Sequence, residues 1–484
     1  MSRWTKVALL ASVTALSGCQ AVGPNFVSPT PPRISGYSIT GDAAPAIAAM
    51  NSAARSAGPW WRGLGSTQLD AVIRGALRDN ASVALAVASL DRARAEQDVA
   101  TADRKPKIDA NAGAIRERIN IRAFGFSGFP GQPTIPNPTI SLFSVGSTVS
   151  YGLDLFGLTR RRIEVAGAAV DAEARRADAA FLALTGNVAL EAVRIATLRE
   201  EQTVLGDIVA DDRASIDIVR RAQTAGGESL TAGLGGEAQL EADQALAPPV
   251  AQDLSRARHA LAAFSGRAPE PGEVTNFSLT DFSAPRSIPV SLPTNLLRLR
   301  PDILAAEADL HADTARIGVA TANLYPNINL VAGLSQQALT PASIFSFNST
   351  AYDFGAQVTA PIFHGGALRA SRRAAEAEAR VSLGRYLEVV ARAFVQVADV
   401  LTALARDEVA MANNQAREAT ARRGLADAQA AFQLGGGPRA DIVIAKRRLD
   451  LARLNTVQAS GLRLEDVVTL YAATATDWGK APAS

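Results

Sequence analysis

The sequence predicts an α+β membrane protein in which one plan occurs twice: a helix, a β-hairpin long enough to cross a bilayer, and a very long helical hairpin. Three observations carry this prediction. Residues 368–434 contain no proline, only Gly384 and Gly424 as glycines, and mostly strong helix formers. As one helix rising 1.5 Å per residue they would extend about 100 Å, too far for a compact domain. In four other segments of roughly ten residues or more the apolar period changes from 3.6 to 2, the pattern and length of tilted membrane strands. The second half then repeats the order of the first at a period of about 210 residues, which is too long for a solenoid unit and reads as an internal duplication.

Bulk properties exclude several classes. The 484 residues carry a formal charge of +2, with acidic and basic residues interspersed, so no nucleic-acid partner is indicated. The single cysteine leaves no disulfide within the chain, and His259, His311 and His364 are far apart, so no Cys/His metal cluster is available. No nucleophile elbow, zinc-protease helix or phosphate loop occurs in a suitable setting. No catalytic residue, metal ligand or cofactor is assigned, and the chain does not read as an enzyme.

In chain order, residues 1–18 read as a signal peptide. Arg3 and Lys6 precede an apolar run from Val7 to Leu16, too short to span a bilayer. The run ends in Leu16-Ser17-Gly18-Cys19, which resembles the lipobox of bacterial lipoproteins and makes Cys19 the expected lipidation site. Gln20 follows where those lipoproteins use Asp for inner-membrane retention, which implies export to the outer membrane. Residues 19–66 are rich in Pro, Gly, Ala and Ser and read as an extended segment, packed down by Trp60 and Trp61.

The first repeat is placed at 67–265. A helix over 67–104 closes at Lys105-Pro106. The first strand is expected around Ile115, Ile119 and Ile121, facing away from Arg116, Arg118, Asn120 and Arg122. After a Gly- and Pro-rich loop, the second strand sets Phe143, Val145, Val149, Tyr151, Leu153 and Leu155 against Ser144, Thr148, Ser150 and Asp154. A long helix follows to about Gln223, with an apolar seam from Phe181 to Val219 that Glu191, Gln202 and Asp212 interrupt. Gly226-Gly227 ends it. The return is expected over 237–264, because Gly233, Gly235 and Gly236 weaken its start.

A Pro-rich connector at 266–295 leads to the second repeat at 296–472, and 473–484 forms a tail. The helix over 301–324 closes at Tyr325-Pro326. One strand carries Ile328, Leu330 and Leu334 on one face, and the next carries Tyr352, Phe354, Val358 and Ile362. The long helix has its seam at Leu383, Leu387, Val390, Phe394, Val397, Leu401 and Leu404. It stops at Gly435-Gly436-Gly437-Pro438, and a return helix is expected over 442–470.

Four strands cannot close a barrel, and open strand edges in lipid are costly. Several copies must each contribute four. Two copies would give eight strands and a plugged interior, whereas three would give twelve and room for a channel.

The chain resembles the outer-membrane factor family of TolC-type channels, and within it the NodT-like lipoprotein branch of resistance–nodulation–division efflux systems. The resemblance rests on the lipobox, on Val22-Gly23-Pro24-Asn25-Phe26, on Trp60-Trp61 ahead of Leu69 and Asn80, and above all on Leu296-Leu297-Arg298-Leu299-Arg300-Pro301-Asp302-Ile303. It implies a homotrimer with a shared twelve-stranded β-barrel in the outer-membrane lipid, continuous with a long periplasmic α-helical barrel. It implies an exit duct for small molecules such as drugs. It further implies partnership with a periplasmic adaptor, which would contact the tips at Gly226, Gly227, Gly435, Gly436 and Gly437, and with an inner-membrane pump. In the family an Asp six residues after the tip glycine helps constrict the pore, a position held here by Asp441. A second family Asp falls on Ile444, and the matching position of the first tip is Ala232, so the chain departs from a two-ring gate. The same duct could serve type I protein secretion. A periplasmic adaptor or coiled-coil lipoprotein would not need four strands of membrane-crossing length.

Overall fold

A computed structural model of the chain describes residues 21–30, 59–120, 137–227, 229–270, 276–283 and 299–474. The helices are α1 (Thr67–Asp79), α2 (Ala81–Ala102), α3 (Leu158–Thr224), α4 (Leu230–Gln244), α5 (Ala247–Phe264), α6 (Pro301–Ala322), α7 (Ala367–Gln433) and α8 (Arg439–Thr474). The strands are β1 (Lys107–Arg118), β2 (Thr139–Leu153), β3 (Asn327–Ala338) and β4 (Thr350–Thr359). The chain divides into two compact units.

The first unit is formed mainly by Asp91–Asp171 and Ala308–Gly384. Its centre is an antiparallel sheet in the order β1-β2-β3-β4. Paired residues share a face, so the registers sort the side chains. Ile108, Val149, Ala332 and Phe354 fall on one face, as do Tyr151, Leu330 and Ala356. Asp109 and Thr148, Ser144 and Gln337, and Gly333 and Asp353 fall on the other. The apolar face is open: Tyr352 and Phe354 are each 83% exposed. Among the described residues both outer strands pair on one side only, β1 with β2 and β4 with β3.

The first strand differs from the expectation. It begins at Lys107, directly after Pro106, and Ile115 lies on the polar face opposite Leu142. Ile119 follows the strand end and Ile121 lies outside the described residues. The apolar face of β1 is made by Ile108, Ala110, Ala112 and Ala114 instead. In β2, β3 and β4 the expected apolar sets fall on one face, except that Leu155 and Ile362 lie beyond the strand ends.

The Val22–Phe26 stretch is bound into the same unit by a buried arginine. Arg161 donates through Nε to the Val22 carbonyl (3.1 Å) and through Nη2 to the Gly23 carbonyl (3.2 Å) and Asn25 Oδ1 (2.9 Å). The Val22 amide donates to the Phe156 carbonyl at 3.1 Å. Gly23 has φ 91° and packs on Gly318, where a side chain at either position would collide. Phe26 stacks on His311 at 4.5 Å, and His311 contacts Glu164 at 3.1 Å.

The second unit holds the large apolar core. Trp60, Leu64, Leu69 and Ile73 pack with Val188, Ile195, Phe277, Val397 and Leu470. Trp60 stacks on Tyr471 at 5.4 Å, and the Trp61 indole N–H donates to Asp70 at 3.0 Å, so the pair serves packing. The Arg300-Pro301-Asp302 motif is a fastener at the start of α6. Arg300 bonds Asp302 through two nitrogens (3.0 and 2.7 Å) and also reaches Gln396 of α7 (2.9 Å) and the Ala473 carbonyl of α8 (2.8 Å).

Three helix boundaries differ from the sequence expectation. The first helix is broken at Asn80, whose side chain donates to the Phe264 carbonyl (2.9 Å) and accepts from the Ser82 amide (2.7 Å). Asn80 thereby ends α1 and caps α2. The first return begins at Leu230 despite its glycines, because the Ser229 hydroxyl accepts from the Ala232 amide. It breaks at Ala245-Leu246, just ahead of Pro248. The second return is longer than expected and unbroken over 36 residues. The α7 seam holds at Val390, Phe394, Val397, Leu401 and Leu404, which are buried, and fails at its start, where Leu383 and Leu387 are exposed and Tyr386 is buried instead.

Candidate functional site

Both long outgoing helices end in the same hydrogen-bond pattern. At the first tip the Gly226 amide donates to the Gln223 carbonyl and the Gly227 amide to that of Ala222, each at 2.9 Å. At the second, the Gly435 amide donates to the Phe432 carbonyl (3.1 Å) and the Gly436 amide to that of Ala431 (2.9 Å). Gly226 and Gly435 have φ 75° and 76°, the left-handed conformation this stop requires. Gly437 precedes Pro438, and the next turn starts α8.

Asp441 lies in the first turn of α8, where a carboxylate is favoured by the helix dipole, and its side chain is exposed. Its amide donates to the Pro438 carbonyl at 3.1 Å. Ile444, one turn on, is 48% exposed. Ala232 occupies the first turn of α4. Cys19 lies outside the described residues.

Beyond the tips the structure assembles an ionic cluster that sequence reading missed. Arg447 of α8 contacts Asp212 of α3 at 2.9 Å and also pairs with Asp243 of α4. Lys446 pairs with Asp211, and Arg453 reaches Asp207 (3.6 Å) and Asp450 (3.7 Å). The return of the second hairpin is thus joined to both arms of the first. The only sequence signal was Asp212 interrupting an apolar seam.

These carboxylates are not independent. Burial works against charge on both Asp212 and Asp243. Arg447 prevails at Asp243, whose carboxyl is held below the usual range, while burial and the Asp243 carboxyl push Asp212 up. Burial, reinforced by Asp211, pushes Asp450 up to about 6. In the second hairpin burial and the neighbouring Asp407 push Asp466 up to about 7. The buried Oδ2 atoms of Asp211, Asp407 and Asp450 meet no donor among the described residues, so a proton held between paired carboxyls is the natural partner. Glu191, Glu201 and Glu465 are likewise raised by burial.

Comparison with known proteins places this architecture. The model of the outer membrane efflux protein family matches residues 72–267 and 292–476, well over half of the chain. The chain belongs to the outer membrane efflux protein family. It is 28% identical over 477 residues to the pyoverdine export outer membrane protein OpmQ of Pseudomonas aeruginosa, covering 97% of each. It is 24% identical over 464 residues to nodulation protein T of Rhizobium leguminosarum bv. trifolii, covering 94% of this chain and 93% of that protein. Among solved structures, the outer-membrane channel OprN superposes with a TM-score of 0.81 at 24% identity, over 94% of this chain and 99% of that one. The protein is therefore an outer-membrane efflux channel with the TolC-type fold. That settles the choice against a periplasmic adaptor, and the family name speaks for efflux rather than protein secretion.

Proposed function

We propose that three copies close one twelve-stranded barrel in the outer membrane and form the passive exit duct of a tripartite efflux pump. The observation that carries this reading is the four-stranded sheet with an apolar face, a polar face and two unpaired edges. Such edges are tolerated in lipid only when a neighbouring copy pairs with them. The apolar face meets lipid and the polar face lines the duct. The helical hairpins extend into the periplasm as a second barrel, and their tips at Gly226, Gly227, Gly435, Gly436 and Gly437 receive a periplasmic adaptor coupled to an inner-membrane pump. Asp441 contributes a ring of three carboxylates at the constriction. The chain works as a duct for small solutes rather than as an enzyme, because the pump supplies the energy. Cys19 carries acyl chains that add a lipid anchor to the barrel, each buried CH₂ contributing about 0.8 kcal/mol.

Native mass spectrometry of the full chain in detergent tests both claims together. The expected mass is that of three chains, each beginning at Cys19 and carrying acyl groups that Cys19→Ser abolishes. A folded, stable monomer would sink the shared barrel. Acyl mass retained in Cys19→Ser would sink the anchor alone.

A further inference from the structure

The end of the sheet nearest the helices carries a polar cavity that the duct reading does not explain. It is an open cleft of about 380 Å³, lined by Lys105, Lys107, Arg162, Asn327 and Asn329, with Asp103 and Asp154 among the other residues. Lys107, Asn327 and Asn329 stand on the polar face of the sheet. The charges of the cavity do not cancel. Asp103 is taken by Lys107 at 2.9 Å. Asp154 caps α3, accepting from the amides of Thr159 (3.1 Å) and Arg160 (2.9 Å), and it also pairs with the Arg160 guanidinium. Lys105 and Arg162 face the same space with no carboxylate partner among the described residues. The lining therefore offers two uncompensated cations beside the amides of two asparagines.

We infer that this cavity is an anion-binding station on the duct wall, taking a carboxylate, sulfonate or phosphate group of a passing solute. Guanidinium and ammonium groups bind such oxyanions through charge-assisted hydrogen bonds, and the Asn amides add neutral donors that fix orientation. The inference rests on the polar face pointing into the duct. In a trimer the station would occur three times around one circumference, raising the local concentration of anionic solutes at the barrel entrance.

The test uses the full-length trimer in detergent and a trisulfonated pyrene dye, read by fluorescence anisotropy. Wild type should bind the dye, with inorganic phosphate competing and added salt weakening the complex. The double variant Lys105→Gln/Arg162→Gln should lose about tenfold or more in affinity. Lys105→Arg/Arg162→Lys, which keeps both charges, should retain binding, and so should Arg373→Gln, which removes a cation outside the cavity. Unchanged dye affinity in the double Gln variant would overturn the inference, as would no binding to a wild-type trimer that conducts ions. Loss of trimer or conductance in wild type would instead strike the duct reading. Displacement of the dye by phosphatidylglycerol micelles but not by free phosphate would put a lipid headgroup at the site and overturn its place on the duct wall.

Discussion

The two helical hairpins stop alike and return differently. Both outgoing helices run for 67 residues and end on a left-handed glycine. The first return closes tightly on its own outgoing arm. A Cβ at Gly233 would sit 2.7 Å from the Gln223 side chain, and one at Gly236 3.2 Å from Ile216. Gln223 also donates to the Ser229 carbonyl at 2.6 Å. The tip glycines themselves are equally open: a Cβ at Gly226 or Gly435 would meet nothing within 4 Å, and one at Gly227 or Gly436 only a carbonyl oxygen at 3.6 Å. The second return helix reaches the first hairpin through Lys446 and Arg447. The first return is packed and ion-paired (Arg220–Glu237, 2.6 Å) against its own arm, whereas the second adds a charge tether to the other hairpin beside the packing of Leu451 and Leu454 on Val204, Leu205 and Ile208.

Removing the tether should produce the largest effect. Arg447→Met leaves Asp212 and Asp243 facing each other with no cation between them. Stranding buried charge in this way should cost about 3 kcal/mol, seen as a lower midpoint in thermal or denaturant unfolding of the trimer. Adding Asp243→Asn to that variant should recover part of the loss by removing the repulsion. A cost below about 1 kcal/mol for Arg447→Met would reduce the tether to a surface ion pair and erase the contrast between the hairpins.

The second prediction separates the two returning segments by pH. Asp466 and Asp450 both lie on α8, with carboxyls pushed up to about 7 and about 6. A carboxyl raised in this way holds its proton more tightly in the folded chain than in the unfolded one. Its contribution to stability is full below the unfolded value near 3.8 and is lost as pH rises through the folded value. The second return, α8, should therefore loosen between about pH 4 and pH 7. Hydrogen exchange should show amides of 439–474 opening more readily across that window than those of 230–264. Asp466→Asn and Asp450→Asn should flatten the trend. Equal pH dependence in both segments would refute it.

How much of this was legible can be traced residue by residue. The long helices, their glycine stops and three of the four strands were visible because their apolar residues are large and regularly spaced. The first strand was misplaced because Ala110, Ala112 and Ala114 give little contrast, while the isoleucines further on gave a stronger but misleading period. The break at Asn80 depends on the Phe264 carbonyl, 184 residues away. Asp212, Asp243 and Arg447 meet only after three helices pack. Local pattern marks elements well and marks long-range polar contacts hardly at all. The Arg161 clamp and the Arg300 fastener show the reverse case, in which the family motif was readable but its purpose was not.

The smallest expected change in stability belongs to the tips themselves, where the first turn of one returning helix carries a carboxylate and that of the other does not. Asp441 stands in the first turn of α8, and Ala232 stands in the first turn of α4. Three copies of Asp441 around a narrow opening would favour cations and hold multivalent cations at the mouth. Asp441→Ala should then lower cation selectivity and weaken block by multivalent cations in bilayer recordings. Its cost in trimer stability should stay below about 1 kcal/mol, the size of a lost helix-dipole contact. Ala232→Asp supplies the missing carboxylate at the other tip. If both tips converge on the axis, this variant should raise cation selectivity above wild type, and the double variant Ala232→Asp/Asp441→Ala should return toward it. If only the second tip lines the opening, Ala232→Asp should leave the reversal potential in a salt gradient unchanged while Asp441→Ala shifts it. Identical reversal potentials for wild type and Asp441→Ala would remove Asp441 from the pore and leave it as a partner of the helix dipole.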